Sequence, residues 1–344
     1  MLAILSDKFK GTLTSQEAAA AICDGLHAAW PEAECAYAPM ADGGEGTAQA
    51  LGAEPHGSGL WYELPSGDAY VPSCGEGMPW QSALSEGTLC QRSTEALGHA
   101  IRQAVDSGRY RRVYVGIGGT TTADGGIGML RALGYDVSIS PDGIVRSIKA
   151  LSNSAERAYR RSICGLADVA APLIGSGLSA MSFLAQKGAT PGDEAAIRRL
   201  FLSLTKICRY PAPFGGSGGG IGFAIQGIMG CECTYGARFV LDRALASMPR
   251  PSLIITGEGR IDSQTLGGKV VDTVYSYGAS RGIPVAAFAG CADPGAPYPN
   301  TFACTRPGET LPDNPAEALR LTAMLAAPSL QAIVSHHDNN RTND

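Results

Sequence analysis

The sequence predicts a two-domain α/β protein whose main strands run parallel. Three observations predict this class: short apolar runs are typical of buried strands, helical patterns stand between them, and glycine-rich or acidic loops follow several of them. Because ligands of such sheets bind at the carboxyl ends of the strands, we expect the binding residues in the loops after the strands.

Each predicted strand is a short apolar run, and each predicted helix repeats apolar residues at helical spacing. The strands are expected at 2–5, 34–40, 111–119, 162–169, 251–259, 283–290 and 300–305. The helices are expected at 16–29, 93–106, 178–187 and 193–207. Thr14 or Ser15 is expected to cap the first helix, a glycine-rich turn over 215–230 leads into another, and the polar stretch from Ser335 is expected to fray.

The length indicates two domains, because 344 residues exceed what one compact core usually holds. The strands predicted near the end of the chain are short apolar runs like the strand predicted at its start. We therefore expect a Rossmann-like parallel-sheet domain made of both chain ends, with a second α/β domain inserted into it. The expected bounds are 1–52 plus 237–344 for the terminal domain and 53–236 for the inserted domain.

The charge and the apolar content of the chain argue against some classes of binding partner. The net charge is −5 and the basic residues are spread along the chain, so no nucleic-acid partner is expected. No apolar run approaches the roughly 18 residues that cross a membrane, and Met1 leads into a strand rather than a secretory signal. The expectation is a cytoplasmic protein whose 10 cysteines, without a CxxC pair, are reduced thiols.

Four loops place a carboxylate next to glycine, and they indicate the chemistry. They span 7–11, 42–46, 124–126 and 257–262. Phosphoryl transfer needs carboxylates to hold Mg²⁺, cations to offset phosphate charge, and backbone amides close to oxygens, which glycine permits. One Asp-Gly-Gly is more often a solvated turn. Four such loops, three of them directly after strands, favour a phosphate site.

The sequence lacks the motifs that are typical of other kinds of catalytic or nucleotide site. The sequence contains no GxGxxG and no Walker A motif, since Gly268-Lys269 is followed by Val270. Metal-ligand spacing of histidines and a GxSxG motif are also absent, so a base, if one is used, is expected to be a carboxylate.

Cations beside the glycine loops are candidate ligands of phosphate or carboxylate groups. Lys10, Lys187 and Lys269 each adjoin a glycine, and each alone is equally consistent with a surface lysine. Arg260 stands between two acids, so it is either a site cation or the structural partner of Glu258 or Asp262.

Taken together, these motifs resemble those of the bacterial type of glycerate kinase, in that family's order and over most of the chain. The matching stretches are DKFKGTLTSQEAA (7–19), PMADGGEGT (39–47), GIGGTTTADGGIGML (116–130), FLAQKGAT (183–190), GGGIGF (218–223) and ITGEGRIDSQTLGGK (255–269). The resemblance implies two α/β domains with the site in the cleft between them. It also implies transfer of the ATP γ-phosphate to D-glycerate with Mg²⁺, giving 2-phosphoglycerate.

The resemblance carries roles to particular residues. Catalytic roles are expected of Asp42, Asp124, Lys10, Glu258 and Asp262. Substrate binding is expected of Asp7, Lys10, Glu45, Lys187, Arg260 and Lys269. Metal binding is expected of Asp42, Glu45 and Asp124. Contacts to the nucleotide are expected at Gly118, Gly119, Gly125, Gly126, Gly257 and Gly259.

The sequence departs from the family pattern in three places. Ala123 stands where Asn is usual, Ala170 and Ala171 stand where polar residues are usual, and segment 52–92 is short and unlike the usual antiparallel strands. Two alternatives therefore stay open: a related kinase for another small hydroxy acid, and a catalytically silent nucleotide- or metabolite-binding homologue. The choice between 2- and 3-phosphoglycerate, the general base and the oligomeric state, a homodimer included, also stay open.

Overall fold

In the computed structural model, the described part of the chain comprises residues 1–57, 59–74, 87–150, 152–262, 265, 267–310 and 312–341, with side chains described as far as 337. The chain forms two compact units: a terminal unit, Met1–Ala41 with Ala237–Asp344, and a central unit, Asp42–Gly236. Residues 42–52, expected in the terminal domain, belong to the central unit, where the Gly118 amide donates to the Gly43 carbonyl.

Strands and helices alternate along most of the chain, which confirms the predicted α/β class. The strands are β1 (Leu2–Ser6), β2 (Cys35–Tyr37), β3 (Glu54–Pro55), β4 (Tyr62–Glu63), β5 (Ala69–Pro72), β6 (Val113–Gly116), β7 (Tyr135–Ile139), β8 (Val145–Ala150), β9 (Ile163–Ala167), β10 (Glu232–Tyr235), β11 (Leu253–Ile261), β12 (Val285–Ala292) and β13 (Thr301–Thr305). The helices are α1 (Ser15–Ala29), α2 (Thr47–Ala50), α3 (Glu95–Asp106), α4 (Ile127–Ala132), α5 (Asn153–Ser162), α6 (Pro191–Thr205), α7 (Ile221–Phe223), α8 (Gly236–Ala246), α9 (Val270–Arg281) and α10 (Pro315–Arg341).

The terminal unit is built on a parallel sheet in the order β13-β12-β11-β1-β2. Alternate residues of β12 enter two apolar clusters. Phe288 packs with α1 and α10, whereas Ala287 packs with α9. Helices therefore cover both faces of the sheet, which explains why its strands are almost continuously apolar.

Helix α10 differs from expectation in two ways. It continues to Arg341, so the prediction that the chain frays from Ser335 is wrong for the described residues. Its segment Pro315–His337 is also, within the described chain, the one helix long and apolar enough to cross a membrane by length and composition. One side of this helix packs on α1, because Leu319 is fully buried and Gly25 leaves room for the Arg320 carbonyl.

The central unit contains a mixed sheet in the order β10-β9-β6-β5-β4-β3. Strands β5, β6, β9 and β10 are parallel, and β3 and β4 add antiparallel pairs at one edge. Segment 52–92, which was expected to be short and unlike the usual antiparallel strands of the family, does contain the antiparallel strands β3 and β4. Residues 58 and 75–86 of this segment lie outside the described residues. A separate hairpin joins β7 and β8.

Two further expectations, the helix over 178–187 and the loop over 257–262, are wrong. The segment 178–187 forms only short 3₁₀ turns, and Gly188 ends them with φ 82°. Strand β11 continues through the expected loop Gly257–Ile261, because β12 pairs with it as far as Ala292. Residues 263, 264 and 266 of that motif lie outside the described part.

The glycine-rich turn before α7 makes close backbone contacts. Gly218, Gly219 and Gly220 have φ of 61°, 63° and 97°, which glycine adopts readily. A Cβ at Gly219 would lie 2.0 Å from the Thr122 carbonyl oxygen. The run of glycines therefore lets this turn pack on the loop after β6.

Candidate functional site

Three aspartates directly follow parallel strands of the terminal sheet. Asp7 comes after β1, Asp262 after β11 and Asp293 after β12. Carboxyl ends of parallel strands meet at one edge, where ligands bind. The Asp7 amide donates to the Gly257 carbonyl (2.9 Å), so the predicted loops 7–11 and 257–262 do meet within this unit.

Arg260 pairs with two of these acids. Its Nε lies 3.3 Å from Asp262 Oδ2, and its Nη2 donates to Asp293 Oδ1 at 2.8 Å. The side chain is 57% exposed, so these pairs position the acids more than they stabilise the fold. Asp293 was not predicted. Glu258 accepts a 2.5 Å hydrogen bond from the Thr265 hydroxyl, which fixes that carboxylate at the same edge.

Two lysines of the terminal unit stand on turns. Lys10 is exposed, and a Cβ at Gly259 would lie 3.4 Å from its backbone nitrogen. Lys269 is the N-cap residue of α9, at the positive end of the helix dipole. The amides of Gly267 and Gly268 donate to Asp272 Oδ2 (3.2 and 3.0 Å), so an internal carboxylate that was not predicted holds this turn.

The central unit has its own charged cluster, at the carboxyl end of β9. Asp168 is the first residue after that strand, and the buried Ser217 hydroxyl donates to its Oδ1 at 2.9 Å. Burial, followed by the charge of Asp42, raises the pKa of Asp168 to about 6. A pKa close to neutrality suits a residue that takes up a proton. Asp168 was missed as a site residue: the strand predicted over 162–169 contained it, whereas it directly follows the observed strand β9.

Lys187 is the cation of this cluster. Its Nζ donates to the Thr122 carbonyl at 2.8 Å. Burial lowers the pKa of Lys187 to about 8, and the charges of Asp168 and Asp124 oppose that shift. The ammonium group is therefore held beside two carboxylates rather than at the open surface, and its role in ligand binding stays a prediction.

Asp124 has a different position from the one expected of a metal ligand. Its Oδ2 accepts hydrogen bonds from the Thr94 amide (2.9 Å), the Thr94 hydroxyl (2.8 Å) and the Gly128 amide (3.0 Å). Its Oδ1 accepts from the Gly126 amide at 2.9 Å. Because a carboxylate has about four acceptor sites, these bonds leave little capacity for a metal ion. Asp124 orders the start of α4 and adds charge near Lys187.

The other predicted acids of this unit lie on the loop before α2. Asp42 is partly buried and accepts a 3.2 Å hydrogen bond from the Gly44 amide, while Glu45 is exposed. Asp42 and Asp168 are close enough to interact electrostatically. The structure therefore brings Asp42, Asp124, Asp168 and Lys187 into one neighbourhood.

The glycines expected to contact nucleotide also have packing roles. Three of their amides donate internally: Gly118 to the Gly43 carbonyl (3.3 Å), Gly125 to the Gly219 carbonyl (3.1 Å) and Gly126 to Asp124. A Cβ at Gly118 would lie 3.1 Å from the Gly44 nitrogen and 3.3 Å from Asp168 Cβ. Gly119 adopts φ 72°, and Gly257 and Gly259 lie within β11. These glycines bring the loops together.

A small hydroxyl-rich pocket adjoins the cluster. It is lined by Ser73, Ser93, Thr94, Ala96, Leu97, Thr120, Thr122 and Ile221. The Thr120 and Thr122 hydroxyls are buried and lie 2.9 Å apart, so one donates to the other. The second proton of the pair has no acceptor among the described residues, which leaves a donor for a group in the pocket.

The unusual alanines are mostly packing residues. Ala123 is 2% exposed and Ala171 is 1% exposed, whereas Ala170 is exposed. Ala123 belongs to the apolar core of the central unit. The loss of Asn at that position therefore changes the core beside the Asp124 loop.

Comparisons with known proteins identify the family of this chain. The model of the glycerate kinase family matches residues 2–69 and 77–319. Glycerate 2-kinase of Escherichia coli K12 is 30% identical over 335 residues, covering 84% of each chain. Glycerate kinase of Haemophilus influenzae Rd is 31% identical over 326 residues, covering 84% of this chain and 85% of the relative.

Solved structures include a similar fold. A crystal structure from Salmonella typhimurium LT2, provisionally identified as glycerate kinase 2, is 26% identical with a TM-score of 0.71. The match covers 96% of this chain and 98% of that one. Sequence and fold agree over nearly the whole length, and this chain therefore belongs to the glycerate kinase family.

Proposed function

We propose that this protein transfers the γ-phosphate of ATP to the C2 hydroxyl of D-glycerate, giving ADP and 2-phosphoglycerate. Membership of the glycerate kinase family supports the acceptor, and the name of the Escherichia coli relative, glycerate 2-kinase, supports C2. The observation that carries the proposal is the neighbourhood of Asp168 and Lys187, an acid and a cation with pKa values near neutrality, at the carboxyl end of β9.

Asp168 is proposed to accept the proton of the glycerate hydroxyl. Its pKa of about 6 leaves it ionised at neutral pH and more basic than an ordinary aspartate. As the proton moves to the carboxylate, the hydroxyl oxygen forms a bond to the γ-phosphorus. The bond from that phosphorus to the bridging oxygen breaks, and its electrons remain on ADP.

Lys187 is proposed to hold the glycerate carboxylate. The lysine is fixed by the Thr122 carbonyl and keeps its proton at neutral pH, because the neighbouring acids oppose the effect of burial. The spare hydroxyl donor of the Thr120–Thr122 pair would bind another glycerate oxygen. Such contacts fix the acceptor, and positioning provides much of the catalysis in phosphoryl transfer.

The donor set suits Mg²⁺, which prefers carboxylate oxygens and water. The charge of Asp42 raises the pKa of Asp168, so the two acids repel one another, and a cation beside Asp42 would relieve that repulsion. Asp42 and Glu45 are proposed to hold the ion. Bound Mg²⁺ would offset the charge of the nucleotide phosphates.

The terminal unit is proposed to contribute nucleotide-binding charges. Lys10 and Lys269 are the cations proposed for phosphate oxygens, while Asp7, Glu258 and Asp262 shape the sheet edge. Arg260 keeps the acids in place through its two ion pairs. Both sets of residues are proposed to serve the same reaction.

A coupled assay tests the proposal. The purified protein is incubated with D-glycerate, ATP and Mg²⁺, and the product is read through enolase with and without phosphoglycerate mutase. We expect Mg²⁺-dependent ADP release and an enolase signal without the mutase. A signal only with the mutase means 3-phosphoglycerate. Turnover of a different hydroxy acid, or ATP binding without turnover, would replace this function by one of the two alternatives.

A further inference from the structure

Three metal-ligating side chains meet in the terminal unit, away from the carboxyl edge of its sheet. Cys23 and His27 stand one turn apart on α1, and Cys35 begins β2, the edge strand beside β1. One ligand atom from each of the three lies within 4.8 Å of the other two. Residues four apart on a helix face the same way, so the helix and the strand present these groups to one another.

The imidazole of His27 is held in the form that a metal ligand needs. Its Nε2 lies 2.8 Å from the Ala33 carbonyl, which only accepts, so Nε2 carries the proton. Nδ1 then keeps its lone pair and lies 3.7 Å from Cys23 Sγ. Metal-binding histidines commonly donate their second ring nitrogen to a backbone carbonyl in this way.

The chemistry of the donor set selects a soft cation. Thiolates with imidazole suit Zn²⁺, whereas Mg²⁺ takes hard oxygen ligands. His27 is exposed and both cysteines are partly buried, so solvent reaches the cluster.

We propose that Cys23, His27 and Cys35 bind one Zn²⁺ ion through Sγ, Nδ1 and Sγ, with water as the fourth ligand. Each thiol loses its proton to solvent as the bond to the metal forms. The ion would join α1 to the edge strand β2. Because it binds the folded chain, it is expected to stabilise the terminal unit.

Titration of the full-length, reduced protein with Co²⁺ tests the site, since cobalt reports on thiolate ligands by absorption. We expect a thiolate-to-cobalt charge-transfer band that saturates at one ion per chain and disappears when Zn²⁺ is added. Cys23→Ser and Cys35→Ser should weaken binding by about 100-fold or more, at least as much as the loss of an outer-shell partner. His27→Gln, which keeps both thiols, should also weaken binding.

Cys304→Ser is the matched control, because Cys304 is another partly buried cysteine of the terminal unit. It should retain the cobalt band and the rise of Tm with Zn²⁺. Thermal melting of each metal-free variant establishes that it folds. Absence of the band from the folded unsubstituted protein, or an equal band in Cys23→Ser and Cys304→Ser, would overturn the proposal. The proposal would also be overturned if Cys23 and Cys35 form a disulfide and its reduction does not restore cobalt binding.

Discussion

The Ser217 hydroxyl donates a 2.9 Å hydrogen bond to Oδ1 of Asp168. Ser217 is 1% exposed and is followed by three glycines with positive φ, so a tightly packed turn fixes the donor. The bond favours the ionised carboxylate and lowers the pKa of Asp168, against burial and the charge of Asp42, which raise it. Ser217 is thus a positioning residue for the proposed base.

Ser217→Ala should shift the acid side of the pH–rate profile upward. Without the hydroxyl, burial and Asp42 act on Asp168 with less opposition, so its pKa rises above about 6. The measurement is kcat/KM for glycerate against pH. Ser182→Ala, at an exposed serine of the same unit, is the control and should leave the profile unchanged. An acid limb that stays in place in Ser217→Ala would remove Asp168 as the base.

The unsubstituted protein should show a bell-shaped dependence of kcat/KM on pH. Activity rises through about pH 6 because Asp168 must lose its proton, and falls above about pH 8 because Lys187 must keep its proton. Lys187→Arg should move the alkaline limb to higher pH, since guanidinium does not deprotonate in this range. An unchanged alkaline limb in that variant would assign it to another group.

Asp168→Asn should lower turnover and raise stability at neutral pH. The loss of a general base costs about 100-fold or more. The pKa of Asp168 in the folded protein, about 6, exceeds the ordinary value of 3.8. The native state therefore binds more protons between about pH 4 and pH 6, and stability falls as pH rises through that window. Asparagine does not titrate, so the variant does not lose stability in this window. It should be more stable than the unsubstituted protein at pH 7 and equally stable below about pH 4.

Asp193→Asn is the control for those unfolding measurements, because its effect on stability is expected to have the opposite sign. Hydrogen bonds from Cys90 and Thr190 lower the pKa of Asp193 to about 2. Its stabilisation is present above about pH 4 and is lost as pH falls through about 2. This variant should therefore lose stability at pH 7. Denaturant unfolding of both variants at pH 2, pH 4 and pH 7 measures the difference: the effect of Asp168→Asn should change between pH 4 and pH 7, and the effect of Asp193→Asn between pH 4 and pH 2. An effect of either variant that stays constant across its own window would contradict the argument.

Asp42→Asn and Asp124→Asn should separate a site residue from a positioning residue. Each is expected to lower turnover by about 100-fold, the scale of a lost charge stabiliser. Asp42→Asn should keep its stability. Asp124→Asn should lose about 1–3 kcal/mol, because an amide donor replaces one of two accepting oxygens, of which Oδ2 accepts from Thr94 and Gly128 and Oδ1 accepts from Gly126. Denaturant unfolding beside kcat measures both, and equal stability of the two variants would return Asp124 to the metal site.

The sequence was most informative where residue type alone decides the structure. Apolar runs such as 2–5 and 285–289 are buried because parallel strands are covered on both faces. Thr14 caps α1 through the expected side-chain bond, reinforced by Glu17. Both features depend on residues close together in the chain.

Features that depend on distant residues could not be predicted. Asp-Gly-Gly is the same pattern whether the acid binds a ligand or holds a helix, and Thr94, thirty positions away, decides the position of Asp124. The polar tail from Ser335 reads as frayed, yet His337 donates to the Gly282 carbonyl within the terminal unit. Asp168 was the clearest omission: the predicted strand, 162–169, ran one residue past it, so the acid did not stand out as the first residue of a loop, whereas β9 ends at Ala167.

Lys10→Ala and Lys269→Ala should raise the KM for ATP more than the KM for glycerate. Both lysines stand on turns of the terminal unit and are proposed to bind phosphate oxygens. Loss of one hydrogen bond to a charged group should raise the KM for ATP by about tenfold or more. Lys206→Ala, at an exposed lysine of α6's C-cap, is the control and should change neither constant.

The pattern across substrates distinguishes the roles. If Lys10→Ala raises the KM for glycerate alone, that lysine binds the acceptor, and the proposed assignment to nucleotide is wrong. If neither variant differs from Lys206→Ala, both are surface lysines. Arginine at either position should restore part of the ATP affinity, because guanidinium also binds phosphate oxygens. If arginine restores both the KM for ATP and the dependence of that KM on salt concentration, the missing positive charge, rather than a change in local folding, is the cause of the weaker ATP binding.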